Sequence, residues 1–236
     1  MRTRRLPLAI AVVALAVVSL ACEGRTVPGF LTTGPTAGAR VRMVNALTST
    51  NSLDFVIDGQ VAASGVGFGA ASQYIPLDLA SHRLQARSSA TGTTLIDFTR
   101  DLSAQGSFSI ILAPGLSQSG ALFLTDDTSP AAGQARIRIV NVAAAPGPIS
   151  VYLTAASGDI NTAAPAVPSL LFGTASAYVQ VAPGTYRVRV TRVGSPSDVL
   201  VDLGTLTVGA GAVRTLLVTD APSGGFPTNL SVITDA

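Results

Sequence analysis

The chain has 236 residues, of which 47% are hydrophobic and 12% charged, and its 23 Gly and 14 Pro favour short elements over long helices. The net charge of +2 depends on three arginines among the first five residues. Without them, the chain has 12 Arg and 13 acidic residues, and this near-neutral balance gives no support for nucleic-acid binding.

The first 21 residues are predicted to be an export signal. Arg2, Arg4 and Arg5 form a positive start, and an uncharged apolar run follows from Leu6 to Ala21. A membrane-spanning helix needs about 20 apolar residues, so this run is too short to span comfortably. A charged start followed by a short apolar run is typical of a secretory signal.

The apolar run ends at Cys22, which is the single cysteine of the chain. The segment Ser19 to Cys22 resembles a bacterial lipobox, in which the chain is cut before a cysteine that then becomes acylated. Ser19 departs from the Leu that is usual at that position. We predict lipid attachment at Cys22 and an outer-membrane location, since Glu23, and not the Asp associated with inner-membrane retention, follows the cysteine. The alternative is ordinary secretion, with Cys22 an incidental thiol or part of an uncleaved anchor.

Residues 22–38 are rich in Gly, Pro and Thr, lack periodicity, and are predicted to form a flexible tether. After the tether the phrase ARVRMVNA begins at Ala39, and ARIRIVNV begins at Ala135. A repeat of about 95 residues indicates tandem domains, because solenoid repeats are about 20–50 residues long. We therefore predict domains over 39–127 and 135–236 and a linker over 128–134. Four further segments recur in the same order: LDFVID as ISVYLT, FGAASQYIPL as FGTASAYVQV, SFSIILA as AVRTLLV, and LFLTDD as SVITDA.

The repeated segments alternate apolar and polar residues with a period of two, which is typical of strands with one buried face. In the first phrase, Val41 and Met43 alternate with Arg40 and Arg42. The alternation and the frequent turn signals predict an all-β fold of two tandem β-sandwich domains with immunoglobulin-like architecture. Three pairs of equivalent inward residues are expected late in each domain: Phe108 with Val213, Ile110 with Thr215, and Leu112 with Leu217.

The order ARVRMVNA, LDFVIDG, GVGFGAASQYIPL, followed by a further strand, resembles the bacterial family named domain of unknown function 4397. The second copy keeps this order, and APGTYRVRV is its most characteristic phrase. The resemblance implies an exported, surface-anchored bacterial protein with two tandem copies of the family domain. It implies no activity and no binding residues.

The chain contains few residues that could carry catalysis. His82 is its only histidine and aligns with Tyr186, so we interpret it as a half-buried structural residue. The chain has no Lys and no nucleophile motif of the GxSxG type. Asp54 and Asp58 lack the spacing of a calcium loop and become Ser150 and Thr154 in the second copy. We expect no catalytic residue, no metal site and no cofactor.

Alternating arginines are the one pattern that suggests binding. If neighbouring strands carry them, each domain would present a face able to hold an anionic glycan, phosphate or lipid headgroup. The simpler interpretation is that arginine keeps the outer strand faces hydrated in a chain without lysine. The candidate residues are Arg40, Arg42, Arg136, Arg138, Arg187 and Arg189.

These observations predict a non-catalytic lipoprotein of the cell envelope. It would serve as a binding module for an unknown ligand or as a structural display module. Its expected partners are the membrane, through the lipid anchor, and an envelope glycan or protein, with no nucleic acid. The alternatives are an envelope hydrolase with a site between the domains and a passive surface spacer. The sequence does not determine the oligomeric state.

Overall fold

The computed structural model describes residues 38–48, 50–116 and 120–235. The predicted signal peptide, the lipid attachment at Cys22 and the tether up to residue 37 lie outside the described residues. Within the described ranges the chain consists of strands and turns, with no helix. Accordingly, this part of the chain contains no apolar helix of the length that crossing a membrane requires.

The first unit is a β-sandwich of two four-stranded sheets. One sheet has the order β4-β1-β7-β8, in which β1 and β7 are parallel, and the other has the order β3-β2-β5-β6. The strands are β1 (Ala39–Asn45), β2 (Ser52–Ile57), β3 (Gln60–Gly67), β4 (Ile75–Leu77), β5 (Ser81–Ser88), β6 (Thr94–Asp101), β7 (Gly106–Leu112) and β8 (Ala121–Asp126).

The second unit repeats this arrangement. Its sheets have the orders β12-β9-β16-β17, with β13 also paired to β9, and β11-β10-β14-β15. The strands are β9 (Ala135–Val142), β10 (Ile149–Thr154), β11 (Val167–Leu170), β12 (Thr174–Ala175), β13 (Val179–Val181), β14 (Gly184–Arg192), β15 (Ser195–Val208), β16 (Val213–Thr219) and β17 (Asn229–Thr234). The prediction of an all-β fold is confirmed, and the paired sheets of each unit are consistent with the predicted β-sandwich.

The two repeated segments form β1 and β9, the first strand of each unit, and each strand buries apolar residues in the core of its own unit. Ala39, Val41 and Met43 are fully buried in the core of the first unit, as their counterparts are in the second. Asn45 closes the end of β1, because its side-chain amide donates to the carbonyl of Val66 at 3.0 Å and its side-chain oxygen accepts from the amide of Leu47. Burial of this polar side chain is compatible with stability because its hydrogen-bonding groups are paired.

The two sandwiches have separate cores, as the alternation predicts. The first gathers residues such as Leu53 and Ile110, and the second gathers residues such as Ile149 and Leu216. A third apolar cluster, which the sequence pattern did not predict, lies between the units. Its buried members are Val44, Ala46, Ile111, Ala113, Val140, Val142, Leu217 and Ile233. The sheets that contain β1 and β9 therefore pack against each other through the faces that point away from their own cores.

The predicted correspondence between β7 and β16 is wrong by one residue. Arg42 lies opposite Ser109, and its repeat partner Arg138 lies opposite Thr215, so Ser109 corresponds to Thr215. A shift of one residue moves every side chain to the other face of a strand. Thr215 and Leu217 consequently face the other unit and not the core to which the sequence assigned them.

Candidate functional site

The junction between the units is centred on two buried arginines. Arg42 leaves β1 on the face opposite its own core and is only 2% exposed. Its Nε donates to Ser109 Oγ of the same unit at 2.8 Å. Its two terminal nitrogens reach the other unit, where Nη1 donates to the carbonyl of Thr234 at 2.9 Å and Nη2 to Asp235 Oδ1 at 2.5 Å.

Arg138 repeats these contacts in the opposite direction. Its Nε donates to Thr215 Oγ1 of its own unit at 3.3 Å. Its terminal nitrogens reach the first unit, where Nη1 donates to the carbonyl of Thr125 at 3.1 Å and Nη2 to Asp126 Oδ1 at 2.6 Å. The junction therefore has an approximate twofold symmetry, in which each unit gives one arginine and receives the other.

The two aspartates are held by hydroxyl groups of their own units. Ser109 Oγ and Tyr74 Oη both donate to Asp126 Oδ2 at 2.7 Å. The equivalent donors to Asp235 Oδ2 are Thr215 Oγ1 at 2.7 Å and Tyr178 Oη at 3.3 Å. Burial of the phenol, together with its hydrogen bond to Asp126, raises the pKa of Tyr74 well above its usual range. The tyrosine hydroxyls thus remain protonated donors at physiological pH.

Each tyrosine ring also lies against an arginine. The guanidinium carbon of Arg42 is 4.7 Å from the centre of the Tyr74 ring, and that of Arg138 is 4.8 Å from the centre of the Tyr178 ring. Such contacts stabilise a cation when it is removed from water. We define these six residues (Arg42, Tyr74, Asp126, Arg138, Tyr178 and Asp235) as the Arg–Asp lock. Its charges balance, and its chemistry is suited to holding two bodies together.

Two further arginines of the predicted anion-binding set, Arg40 and Arg136, lie two residues before Arg42 and Arg138 on the same outward strand faces. Arg40 is exposed, donates to Ser107 Oγ at 2.8 Å, and has its guanidinium carbon 5.4 Å from the centre of the Tyr74 ring. Arg136 pairs with Asp127. Both lie beside the buried centre of the junction.

The remaining pair lies on β14, in the other sheet of the second unit. Arg187 is partly exposed and pairs with Asp202 at 2.6 Å. Arg189 is 7% exposed and donates to Thr154 Oγ1 and to the carbonyl of Gly158. Anion binding by these arginines stays a prediction, and each of them already has a polar partner within the protein.

Two equivalent glycines allow the units to approach closely. Gly69 has φ +74°, and a Cβ added there would overlap Ser231 Oγ of the other unit. Gly173, which occupies the same place in the repeated phrase, has φ +72°, and an added Cβ would lie 3.2 Å from Leu116 Cδ2. The FGAAS and FGTAS phrases thus preserve a glycine because of the junction as well as because of its left-handed backbone.

His82 lies in β5, where the sequence predicts a half-buried structural residue. The residue is 9% exposed, Nδ1 lies 2.7 Å from Asp58 Oδ2, and Nε2 lies 3.1 Å from the carbonyl oxygen of Asp78. Burial opposes protonation of the ring. The hydrogen bonds to Asp58 and Asp78 and the nearby carboxylates outweigh that effect and raise the pKa of His82.

The His82–Asp58 pair predicts a loss of stability on the alkaline side of neutrality. A raised pKa in the folded state means that the charged pair contributes fully below the unfolded pKa of about 6.5, and that this contribution disappears as the pH rises through the folded pKa. We expect the melting temperature to fall between about pH 6 and pH 9 in the native chain. The fall should shrink in His82→Gln, which carries no titrating ring, and an unchanged pH dependence in that variant would contradict the assignment.

No group of three or more His, Cys, Asp or Glu side chains within residues 38–48, 50–116 and 120–235 is arranged to hold a metal ion. The two buried acidic residues of the junction, Asp126 and Asp235, have arginines as their partners.

Sequence reasoning missed the acidic half of the lock. The signal was present, because the dipeptide Thr125-Asp126 near the end of the first unit recurs as Thr234-Asp235 near the end of the second. Tyr74 and Tyr178 likewise recur in SQY and SAY. A polar residue that keeps both its identity and its place in two copies was a candidate partner for the repeated arginines.

Comparison with known proteins supports the family resemblance for the first half of the chain. The family described as "Domain of unknown function (DUF4397)" matches residues 39–152, which span the first unit and extend into β10. This match supports the assignment of that segment to the family. Membership of the second unit stays a prediction. No curated protein matches the chain.

Two solved structures show weak similarity. One is a family CBM26 protein, CBMbc of Eubacterium rectale Amy13K in complex with maltoheptaose, at 10% identity and a TM-score of 0.26 over 81% of this chain and 95% of that one. The other is a leucine-rich repeat protein from Bacteroides thetaiotaomicron, at 12% identity and a TM-score of 0.20 over 78% of this chain. The chain spans only 25% of the length of that second protein.

Proposed function

We propose that this protein is a non-catalytic lipoprotein of the bacterial cell envelope. In this proposal Cys22 carries the lipid, residues 23–38 form the tether, and the two sandwiches are presented as one rigid body to an envelope glycan or protein. The anchor is expected to lie in the outer membrane. The observation that best supports the proposal is the junction, where a buried Arg–Asp lock and a shared apolar cluster join the units.

The chemistry of the junction favours display over hydrolysis. A hydrolytic site between the units would need a carboxylate, hydroxyl or imidazole free to act on a substrate. At the junction, Asp126 and Asp235 accept hydrogen bonds from arginine, tyrosine and hydroxyl groups on the two units. His82 lies outside the junction and pairs with Asp58. Because the polar groups of the junction are already hydrogen-bonded to one another, the joined units are suited to presenting their outer surface to a partner.

The anchor is tested by Cys22→Ser. Two acyl chains hold a protein stably on a membrane, but an uncut apolar run before residue 22 would also keep Cys22→Ser there, so lipid attachment itself is measured. We expect the native chain in the producing bacterium to incorporate labelled fatty acid and Cys22→Ser not to. Ser19→Leu, which restores the usual lipobox residue, is the control and should also be labelled. Equal labelling of the native chain and Cys22→Ser would contradict the anchor.

A further inference from the structure

A cavity of about 470 Å³ lies beside the junction. Residues 69–74, which precede β4, form one wall, and residues 232–235 at the end of β17 form the other. Arg42 also lines the cavity, and its charge is already paired with Asp235. The cavity therefore offers room next to the open edge of β17 without a net charge of its own.

The backbone direction of β17 shows which peptide groups its edge presents. The amide of Asp235 donates to the carbonyl of Val213 on β16. Because the two halves of a trans peptide point in opposite directions, the carbonyl of Thr234 points away from β16, and it accepts from Arg42. With the period of two in a strand, the amides of Thr234 and Val232 and the carbonyl of Val232 also point away from β16.

Those three groups are available for pairing. Among the described residues, no backbone hydrogen bond joins the outer side of Val232 or Thr234 to another strand. The facing wall contributes a similar pair of groups. The carbonyl of Ala70 accepts from Asn45 and the amide of Ser72 donates to Met43, so the amide and carbonyl of Ala71 point away from β1.

The edge of β17 also lacks the features that protect other edges of the molecule. Edge strands usually carry charges or proline that discourage pairing with another chain. Strand β6 carries Asp97 and Arg100, and β15 carries Pro196 and Asp198, whereas the sequence of β17, NLSVIT, like that of edge strand β3, has neither charge nor proline.

The equivalent position in the first unit is covered. Thr125 and Thr234 correspond, so Phe123 of β8 corresponds to Val232 of β17. Phe123 is partly buried, and Arg100 lies over its ring at 4.2 Å. Val232 is 38% exposed. The two units have diverged at this position, and the divergence leaves the Val232 side chain more exposed than that of Phe123.

We propose that the β17 edge, at Val232 and Thr234 beside this cavity, binds an extended peptide segment of a partner protein by adding it as a further strand. Alternating main-chain donors and acceptors on an uncharged strip match the main chain of such a peptide, and exposed Val232 offers an apolar contact to one of its side chains. The proposal rests on the proposed function, since it names the class of partner that the displayed pair would bind.

The test uses the full chain, isotopically labelled, and the blocked peptide acetyl-Val-Thr-Val-Thr-amide as the probe. At millimolar peptide we expect amide resonance shifts at Val232 and Thr234, because a few main-chain hydrogen bonds support weak binding of this order. The same peptide with alternate amides N-methylated is the matched control. It keeps the side chains but cannot complete the strand pairing, so it should bind about tenfold more weakly or not at all.

A variant of the protein gives the reciprocal test. Val232→Pro removes an amide that points away from β16, a place where an edge strand tolerates proline. It should weaken peptide binding about tenfold, whereas Val232→Thr, which keeps the amide, should bind within about twofold of the native chain. If Val232→Pro does not fold, the comparison between the two peptides on the native chain still decides the proposal.

Four outcomes would overturn the proposal. They are no shift with the unmodified peptide, equal binding of the N-methylated peptide, shifts of the same amides by maltotriose alone, and a concentration-dependent dimer that Val232→Pro abolishes. The last two would assign the edge to a glycan or to a second copy of the chain. Fatty-acid labelling at Cys22 is measured separately, so failure of the anchor and failure of the peptide site are distinguishable.

Discussion

Replacing Arg42 by methionine is expected to lower the free energy of unfolding by about 3–5 kcal/mol, the usual cost of breaking a buried ion pair. The side chain of Asp235 is fully buried, and its closest cation is Arg42 at 2.5 Å. The substitution leaves only Arg138, at 4.0 Å, to balance the charge of this carboxylate. Chemical denaturation followed by circular dichroism measures the loss. Because Arg42 joins the units, we also expect the single transition of the native chain to separate into two.

Two variants show whether the loss arises from a stranded buried charge. Arg42→Met combined with Asp235→Leu should be more stable than Arg42→Met alone, because removing both partners leaves no unpaired charge. Arg83→Met is the matched control, since Arg83 forms a similar pair with Asp97 on an exposed strand face. Exposed pairs contribute little, so this variant should remain close to the native chain. Equal losses in Arg42→Met and Arg83→Met would contradict the role of the lock.

Replacing Gly69 by alanine is expected to cost about 2–4 kcal/mol, more than the 1–2 kcal/mol of a left-handed backbone alone. The backbone at Gly69 has φ +74°, and the new Cβ would overlap Ser231 Oγ across the junction. Either the serine must rotate or the two units must separate slightly. Thermal unfolding of the full chain measures the change.

Gly92 provides a control for the backbone contribution. It has φ +71°, but an added Cβ meets no atom within 4 Å. Gly92→Ala should therefore report the backbone cost alone, and the excess in Gly69→Ala should report the contact with the other unit. That excess should disappear when Ser231→Gly is combined with Gly69→Ala. If Gly69→Ala costs no more than Gly92→Ala, the close approach of the units at this point is wrong.

Local pattern was sufficient to predict the fold of each unit. Alternation in ARVRMVNA and its repeat placed Val41 and Met43 inside, and the structure buries both completely. The reason is that a strand directs successive side chains to opposite faces, so the order of residues alone determines which of them can share a core. The one-residue error between β7 and β16 arose where both faces are apolar, because the period of two then no longer identifies the inner face.

The candidate site could be predicted only in part. The repeated arginines were recognised, but the sequence assigned Arg42 and Arg138 to an outward face and could not show what that face meets. In the structure they are 2% and 3% exposed and pair with aspartates near the ends of the two units. A partner 193 residues away leaves no trace in local periodicity.

The sequence by itself determined the duplication, the strand character of its segments and the two separate cores, because these depend on the spacing of residues that are neighbours along the chain. The tertiary structure decided that two outward faces are covered by each other, that Gly69 faces Ser231, and that the edge of β17 remains open. These features depend on how two completed sandwiches pack. The physical reason is that alternation specifies which side of a strand is apolar, while the surface that covers the opposite side is set by contacts between residues far apart in the chain.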